Sequence, residues 1–156
     1  MSVEAREQLI ADLGRYRQQM SALLLTVTED QDWQPDLDNW SFRYVAAHMA
    51  VCDSECLQPR IKQIAAGENP TFELYFNTGR DFSGFELKQS LKDWEQIRQE
   101  IIEFYRALPE EKLTLTGNHQ SYGVITVADY LRIMVDHDRE HVQELEEMLA
   151  RYEQRK

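Results

Sequence analysis

Hydrophobic and polar residues follow one another along most of the chain with the spacing of amphipathic α-helices. In four stretches apolar residues recur three and four positions apart, which places them on one face of a helix. The stretches cover about residues 3–28, 41–66, 84–108 and 126–152. The second fades between Pro59 and Gly67, and no segment longer than a few residues has the period of a strand. The pattern predicts an all-α four-helix bundle.

Local signals mark several of the predicted helix ends. Ser41 is a plausible N-cap for the second helix, and Thr126 with Asp129 forms a variant of the capping box at the start of the fourth. Pro109 lies just beyond the third stretch and does not easily continue a helix.

Three long connections separate the helices, at residues 29–40, 66–83 and 108–125. Simple bundles use about 2–8 residues. Connections of this length are expected to cross the bundle or to cover a site. Many large aromatic side chains lie in them, and they either wall a pocket at one end of the bundle or seal the core beneath the loops. These residues are Trp33, Trp40, Phe72, Tyr75, Phe76, Phe82 and Tyr122.

Length and charge restrict the classes of function. The 156 residues fit one domain, 1–156, that is long enough to bury a core without disulfides. A net charge of −11 opposes binding to nucleic acid. There is no apolar signal core and no run of about 18 apolar residues. We therefore expect a cytoplasmic protein without nucleic-acid or membrane partners, in which Cys52 and Cys56 are reduced.

Two histidines, His137 and His141, occupy neighbouring core-facing positions of the fourth stretch, where leucines would be expected. Residues four apart lie on one face of a helix, so both rings can point at one place. Each buried imidazole needs a partner for its polar nitrogen, and a metal ion satisfies both. His48 is the only other histidine on an amphipathic helix, whereas His119 is expected in a loop. Asp138 lies about 100° from His137 around the helix and is expected to brace a neighbouring residue.

The order of these motifs resembles the DinB/YfiT-like superfamily, in its broad DinB-like branch. Asn39–Ser41 leads to His48, a long central connection follows, and Gly123–Thr126 leads to His137–His141. The resemblance covers nearly the whole chain. It implies a four-helix bundle with long crossover connections and a divalent metal held by His48, His137 and His141.

The resemblance also implies a range of activities. Characterised branches of the family resemble thiol-dependent transferases and isomerases that use glutathione, mycothiol or bacillithiol, and other members resemble metal-dependent hydrolases. For this chain it implies a small-molecule substrate, a divalent ion such as Zn, Ni, Mn or Fe, and a low-molecular-weight thiol as an optional second cofactor. No residue of the chain selects one thiol or one substrate.

Three neutral histidines leave open coordination positions, which is typical of a catalytic rather than a structural site. Glu144 shares the face of His141, and Glu55 lies seven residues after His48. Either glutamate is a candidate for orienting water, accepting a proton or bonding a histidine. Cys52 is a candidate fourth ligand, redox-sensitive neighbour or cofactor-binding residue. Metal affinity is expected to fall below about pH 6, where ordinary histidines protonate.

Three hypotheses for function remain at this point. The first is a metal-dependent hydrolase or thiol transferase, the second a non-catalytic, stress-associated metal-binding bundle, and the third a helical interaction module in which the histidines are incidental. A homodimer is expected from the aromatic residues in the connections and from the habit of the family.

Overall fold

A computed structural model describes residues 1–155 and confirms the predicted four-helix bundle. One of its four long helices is divided into two α-helical segments, so five α-helices are labelled. They are α1 (Val3–Leu25), α2 (Phe42–Cys52), α3 (Gln58–Ala65), α4 (Leu87–Ala107) and α5 (Val127–Glu153).

A π-helical turn, Asp53–Leu57, joins α2 to α3. The backbone stays in the helical region at Cys52 and Gln58 on either side, so the three segments form one continuous helix. A π turn inserts an extra residue and rotates everything that follows around the helix axis. The wider turn also precedes Pro59, which has no N–H to donate. The heptad-like pattern of the sequence did not indicate this rotation.

Helix ends follow the predicted caps at two places. The Ser41 side chain accepts from the Tyr44 N–H, and Thr126 and Asp129 form a complete capping box. The first helix, predicted to residue 28, ends at Leu25, where the Thr26 hydroxyl bonds back to the Leu23 carbonyl. Such a bond competes with the next helical turn.

The prediction that residues 66–83 and 108–125 are plain connections was incomplete, because a small sheet joins them. Strands β1 (Thr71–Phe72), β2 (Thr116–His119) and β3 (Gly123–Thr126) lie in that order. β1 is parallel to β2, and β2 and β3 form an antiparallel hairpin. Strands of two to four residues are too short to show a period of two. His119, expected in a loop, is the last residue of β2.

The bundle packs α2 against α4 and α1 against α5. Trp94 and Tyr105 of α4 are fully buried in this core. On α5, all the apolar side chains of the predicted inner face are buried: Val127, Tyr130, Met134, Leu145 and Met148. None of the helices in residues 1–155 has the length and apolar character needed to cross a bilayer.

Candidate metal centre

Three histidines from two helices meet at one point in the bundle. The Nε2 atoms of His137 and His141 are 3.0 Å apart, and Nε2 of His48 is 3.2 Å from that of His141. Ligand atoms of all three lie within 4.8 Å of one another. Two nitrogens each about 2.1 Å from one ion, at an angle of about 90–110°, are about 3.0–3.4 Å apart. The cluster therefore has the donor set and nearly the spacing of a divalent-metal site.

One hydrogen bond and one close carboxylate contact, on the far side of two rings, indicate which nitrogen of each ring carries the proton. Nδ1 of His48 lies 2.7 Å from Oδ1 of Asn77, and Nδ1 of His141 lies 3.2 Å from Oε2 of Glu144. Asn77 Oδ1 accepts from Nδ1 of His48, and the Glu144 carboxylate favours a proton on Nδ1 of His141, so each neutral ring presents a lone pair on Nε2. Two lone pairs at 3.2 Å repel one another. A cation between them removes that repulsion, so these residues fit a metal.

His137 completes the set with a nitrogen that has no partner. Its Nδ1 atom is buried without a hydrogen bond among the described residues, 4.0 Å from Oδ1 of Asp138. Buried polar atoms in proteins are rarely left unpaired. The ring is thus held by its position on α5 and by its neighbours rather than by a bond of its own.

Burial keeps the three imidazoles neutral. It lowers the pKa of His48 to about 4 and that of His137 to about 3, and the neighbouring imidazoles add to the effect. The pKa of His141 is also lowered by burial. Because only a neutral imidazole binds a metal, the rings are ready for coordination at neutral pH.

Trp40 covers the cluster from the first long connection. Its ring centroid lies 4.5 Å from that of His48 and 6.1 Å from that of His141, and it is nearly parallel to the latter. The indole limits the rotation of both imidazoles and shields them from water. Trp40 was part of the motif noted in the sequence, but its contact with two histidines was not predicted.

Asp138 braces a neighbouring residue, as expected, and that residue is Arg98 of α4. The Arg98 guanidinium donates to Asp138 and, at 2.8 and 3.1 Å, to both carboxylate oxygens of Asp53. All three side chains are fully buried. Burial raises the pKa of both carboxyl groups, and the guanidinium opposes that effect. This trio ties the π turn, α4 and α5 together directly behind His137.

Cys52 lies beside the cluster but outside the three-histidine set. Its Sγ atom is 3.6 Å from His48 and 3.5 Å from the Asn77 amide nitrogen. Burial raises the pKa of Cys52 to about 12, so the thiol is protonated at neutral pH. Both Cys52 and Cys56 are free and buried.

Glu55 does not contact the histidines in the described residues. The π turn contains Glu55, and its side chain is exposed and bound to Arg80 at 2.7 Å and to the Tyr75 hydroxyl at 3.0 Å. Arg80 and Tyr75 flank Asn77 in the second connection. Glu55 therefore anchors the segment that carries the acceptor for His48, a connection that the sequence spacing did not indicate.

Two pockets adjoin the cluster. The tyrosine pocket, about 400 Å³, is reached by His48 and His137; its three tyrosines are Tyr75, Tyr122 and Tyr130. The tryptophan pocket, about 450 Å³, lies between Trp40, His141 and Glu144. Of the aromatic residues in the connections, Trp40, Tyr75, Phe76 and Tyr122 line these pockets, whereas Phe72 and Phe82 are buried in the core.

A four-helix bundle with three converging histidines defines a class of protein, and comparison with known sequences gives the family. The chain belongs to the DinB superfamily, whose family model matches residues 12–145. This confirms the resemblance noted in the sequence.

The fold is similar to that of YfiT from Bacillus subtilis, described as "a probable metal-dependent hydrolase with an unusual four-helix bundle topology". The TM-score is 0.83 with 20% sequence identity, over 97% of this chain and 90% of that one. At this identity the likeness establishes the fold alone. A search of curated proteins gives no match.

Proposed function

We propose that this protein is a divalent-metal-dependent enzyme that acts on a small molecule, with the ion held by Nε2 of His48, His137 and His141. One observation carries the proposal: three imidazoles that burial keeps neutral bring their Nε2 atoms together at one place beside two pockets. A structural site is closed by four protein ligands, whereas three leave room for water or substrate. Bound there, a divalent ion lowers the pKa of a water or thiol ligand to near neutrality.

Glu144 serves the site in two ways in this proposal. One carboxylate oxygen lies 3.2 Å from Nδ1 of His141, and this contact is proposed to hold the direction of that ring. The other oxygen is available to take a proton from a reacting group. Burial raises the pKa of Glu144, which is the direction that makes a carboxylate a better base near neutral pH.

The two remaining candidates act by position. Cys52, protonated and packed against His48, is proposed as a redox-sensitive neighbour of the site, or as a further ligand whose thiol would lose its proton on binding the metal. Glu55 is proposed to hold the loop around Asn77 through Arg80 and Tyr75.

Hydrolysis is the first reaction to test, because the structurally similar YfiT is described as a probable metal-dependent hydrolase. Metal-loaded and metal-free protein would be assayed on small esters, amides and phosphoesters. A second assay adds an electrophile with glutathione, mycothiol or bacillithiol. We expect turnover in one assay that requires the metal and is lost in His48→Ala. Turnover that is equal with and without metal would contradict the proposal, and metal binding without any turnover would favour the non-catalytic bundle.

We further propose a single domain, a cytoplasmic location and a homodimer. Exposed apolar side chains support the dimer: Leu37, Phe76, Tyr122 and Val124 are 95%, 73%, 60% and 68% exposed. A stable dimer buries more than about 1,000 Å². Light scattering at micromolar concentration is expected to give twice the monomer mass; a monomer alone contradicts the dimer.

A further inference from the structure

The tyrosine pocket has a second polar end, away from the histidines, where Arg60 of α3 lies. Its guanidinium donates to the Glu73 carbonyl at 2.7 Å and lies over the Phe72 ring at 4.7 Å. No carboxylate in residues 1–155 lies within ion-pairing distance of it. In a chain of net charge −11, an arginine that faces a pocket without a carboxylate partner is unusual.

Tyr130 and His119 add two hydrogen-bond donors at the same end. The Tyr130 hydroxyl is buried without a well-aligned hydrogen bond among the described residues, and the Arg60 guanidinium is close enough to oppose the rise that burial causes in its pKa. Nδ1 of His119 accepts from the backbone N–H groups of Ser121 and Tyr122 at 3.0 and 3.3 Å. The neutral ring of His119 therefore carries its proton on Nε2, which is a donor.

The walls between the two ends are largely apolar. Leu57, Leu74, Ile133 and Met134 line this part of the pocket. On α5 the acidic lining residues Asp136 and Glu140 directly precede His137 and His141, six and ten residues after Tyr130. Asp136 is already paired with Arg139. Negative charge is thus kept away from Arg60, and the pocket has a fixed polarity.

We infer that this end of the tyrosine pocket binds the anionic group of an elongated substrate, a carboxylate or a phosphate, through Arg60, Tyr130 and His119. The apolar middle of such a substrate lies along the walls, and its reacting group reaches the histidines. Tyr130 precedes His137 by seven residues on α5, which is two helical turns or about 10 Å. The substrate class is therefore a small organic anion whose charged and reacting groups are about that far apart. The assignment of the reacting end rests on the proposed function; the anion site does not.

Octanoate is a suitable probe, because it has one carboxylate and an apolar chain of about the required length. Its binding would be measured by calorimetry on the full-length protein, both as purified and after metal removal with a chelator. Octanamide, which is neutral and of the same shape, is the matched ligand, and octylphosphonate tests the phosphate-like group.

We expect octanoate or octylphosphonate to bind, octanamide to bind much more weakly, and Arg60→Gln to weaken the anion about tenfold or more. Lys62→Gln removes the same charge from an exposed position of the same helix and should change little. Tyr130→Phe keeps the ring and should weaken binding several-fold. These losses of affinity should be the same with and without metal, so they test the anion site independently of the metal proposal.

The inference is overturned if octanamide binds as well as octanoate, if the Arg60 and Lys62 variants weaken binding equally, or if none of the probes binds at millimolar concentration. Suberate has a carboxylate at each end, so one molecule can reach both the anion site at Arg60 and the proposed metal site. It should bind more tightly than octanoate only to the metal-loaded protein.

Discussion

Nδ1 of His48 lies 2.7 Å from Oδ1 of Asn77, 29 residues further along the chain. Through this bond, the second long connection determines which ring nitrogen of His48 on α2 carries the proton. Nε2 is left as a lone pair, and it points at the other two histidines. The Tyr44 hydroxyl in turn donates to the Asn77 backbone carbonyl and holds the loop on the helix.

Replacing Asn77 tests this relationship. Asn77→Ala removes the acceptor and frees the His48 ring, so metal affinity is expected to fall about tenfold or more while the helical circular dichroism persists. Asn39→Ala is the control, since within residues 1–155 the Asn39 side chain bonds only to Asp36. Competition with a chromogenic chelator measures both variants. Equal affinities would show that Asn77 does not orient the ring.

Glu144 should matter less than Asn77, because its side chain is 67% exposed and water competes for its contact with His141. Glu144→Ala is expected to lower metal affinity about threefold, and Glu147→Ala, on the same helix, should leave it unchanged. Competition with the same chromogenic chelator measures the metal affinity of both variants. A loss larger than that of Asn77→Ala would mean that Glu144 binds the ion itself.

The stability of the metal-free protein should depend on pH through the histidines. The pKa values of His48 and His137 are about 4 and about 3 in the folded protein, below the ordinary value near 6.5. As the pH falls below about 6.5 the unfolded chain takes up these protons first, so the free energy of unfolding decreases down to about pH 4. Urea unfolding across this range should show a smaller decrease for His137→Gln. Parallel curves for the two proteins would contradict the low pKa.

The same shifts change an expectation drawn from the sequence. Loss of metal below about pH 6 assumes ordinary histidines, but these rings remain neutral to lower pH. We therefore expect half-loss of metal clearly below pH 6, measured by equilibrium dialysis at fixed total metal.

Arg98 should be the charged residue whose loss is most destabilising. Arg98→Met leaves Asp53 and Asp138 buried without their cation, which costs about 3–5 kcal/mol of unfolding free energy. Arg106→Met, on the same helix, breaks an exposed pair with Glu7 and should cost less than about 1 kcal/mol. Urea denaturation compares the two variants. Adding Asp53→Leu and Asp138→Leu to Arg98→Met should restore much of the loss; failure to do so would point to a packing role for the arginine.

Sequence periodicity was enough to predict the bundle and the face shared by His137 and His141, because helical geometry relates residues four apart. Periodicity also placed His48 on a second helix, and the order of the motifs predicted that His48, His137 and His141 form one site. Sequence periodicity does not predict contacts between segments that are far apart in the chain. The bond from His48 to Asn77 depends on how a loop folds back, and the Asp53–Arg98–Asp138 trio depends on the packing of three helical segments.

The π turn explains why Glu55 does not lie beside His48, as its seven-residue spacing had predicted. Counting seven residues along a regular helix brings Glu55 back to the same face, but the extra residue of the π turn breaks that count. The sequence did not indicate a role for Arg60 or Tyr130 for a different reason. Arg60 follows Pro59, where the helical pattern fades, and Tyr130 has the spacing of an ordinary core residue.

Metal content is the most direct test of the central claim, that His48, His137 and His141 together bind one divalent ion. Protein purified without a histidine tag would be loaded with a divalent metal, dialysed and analysed by mass spectrometry. We predict one ion per chain for the wild type and for His119→Ala, which removes the fourth histidine outside the cluster. His48→Ala, His137→Ala and His141→Ala should each lose most of it while keeping their helical signal. Stoichiometric metal in the His137 or His141 variant, or none in the wild type, would contradict the account.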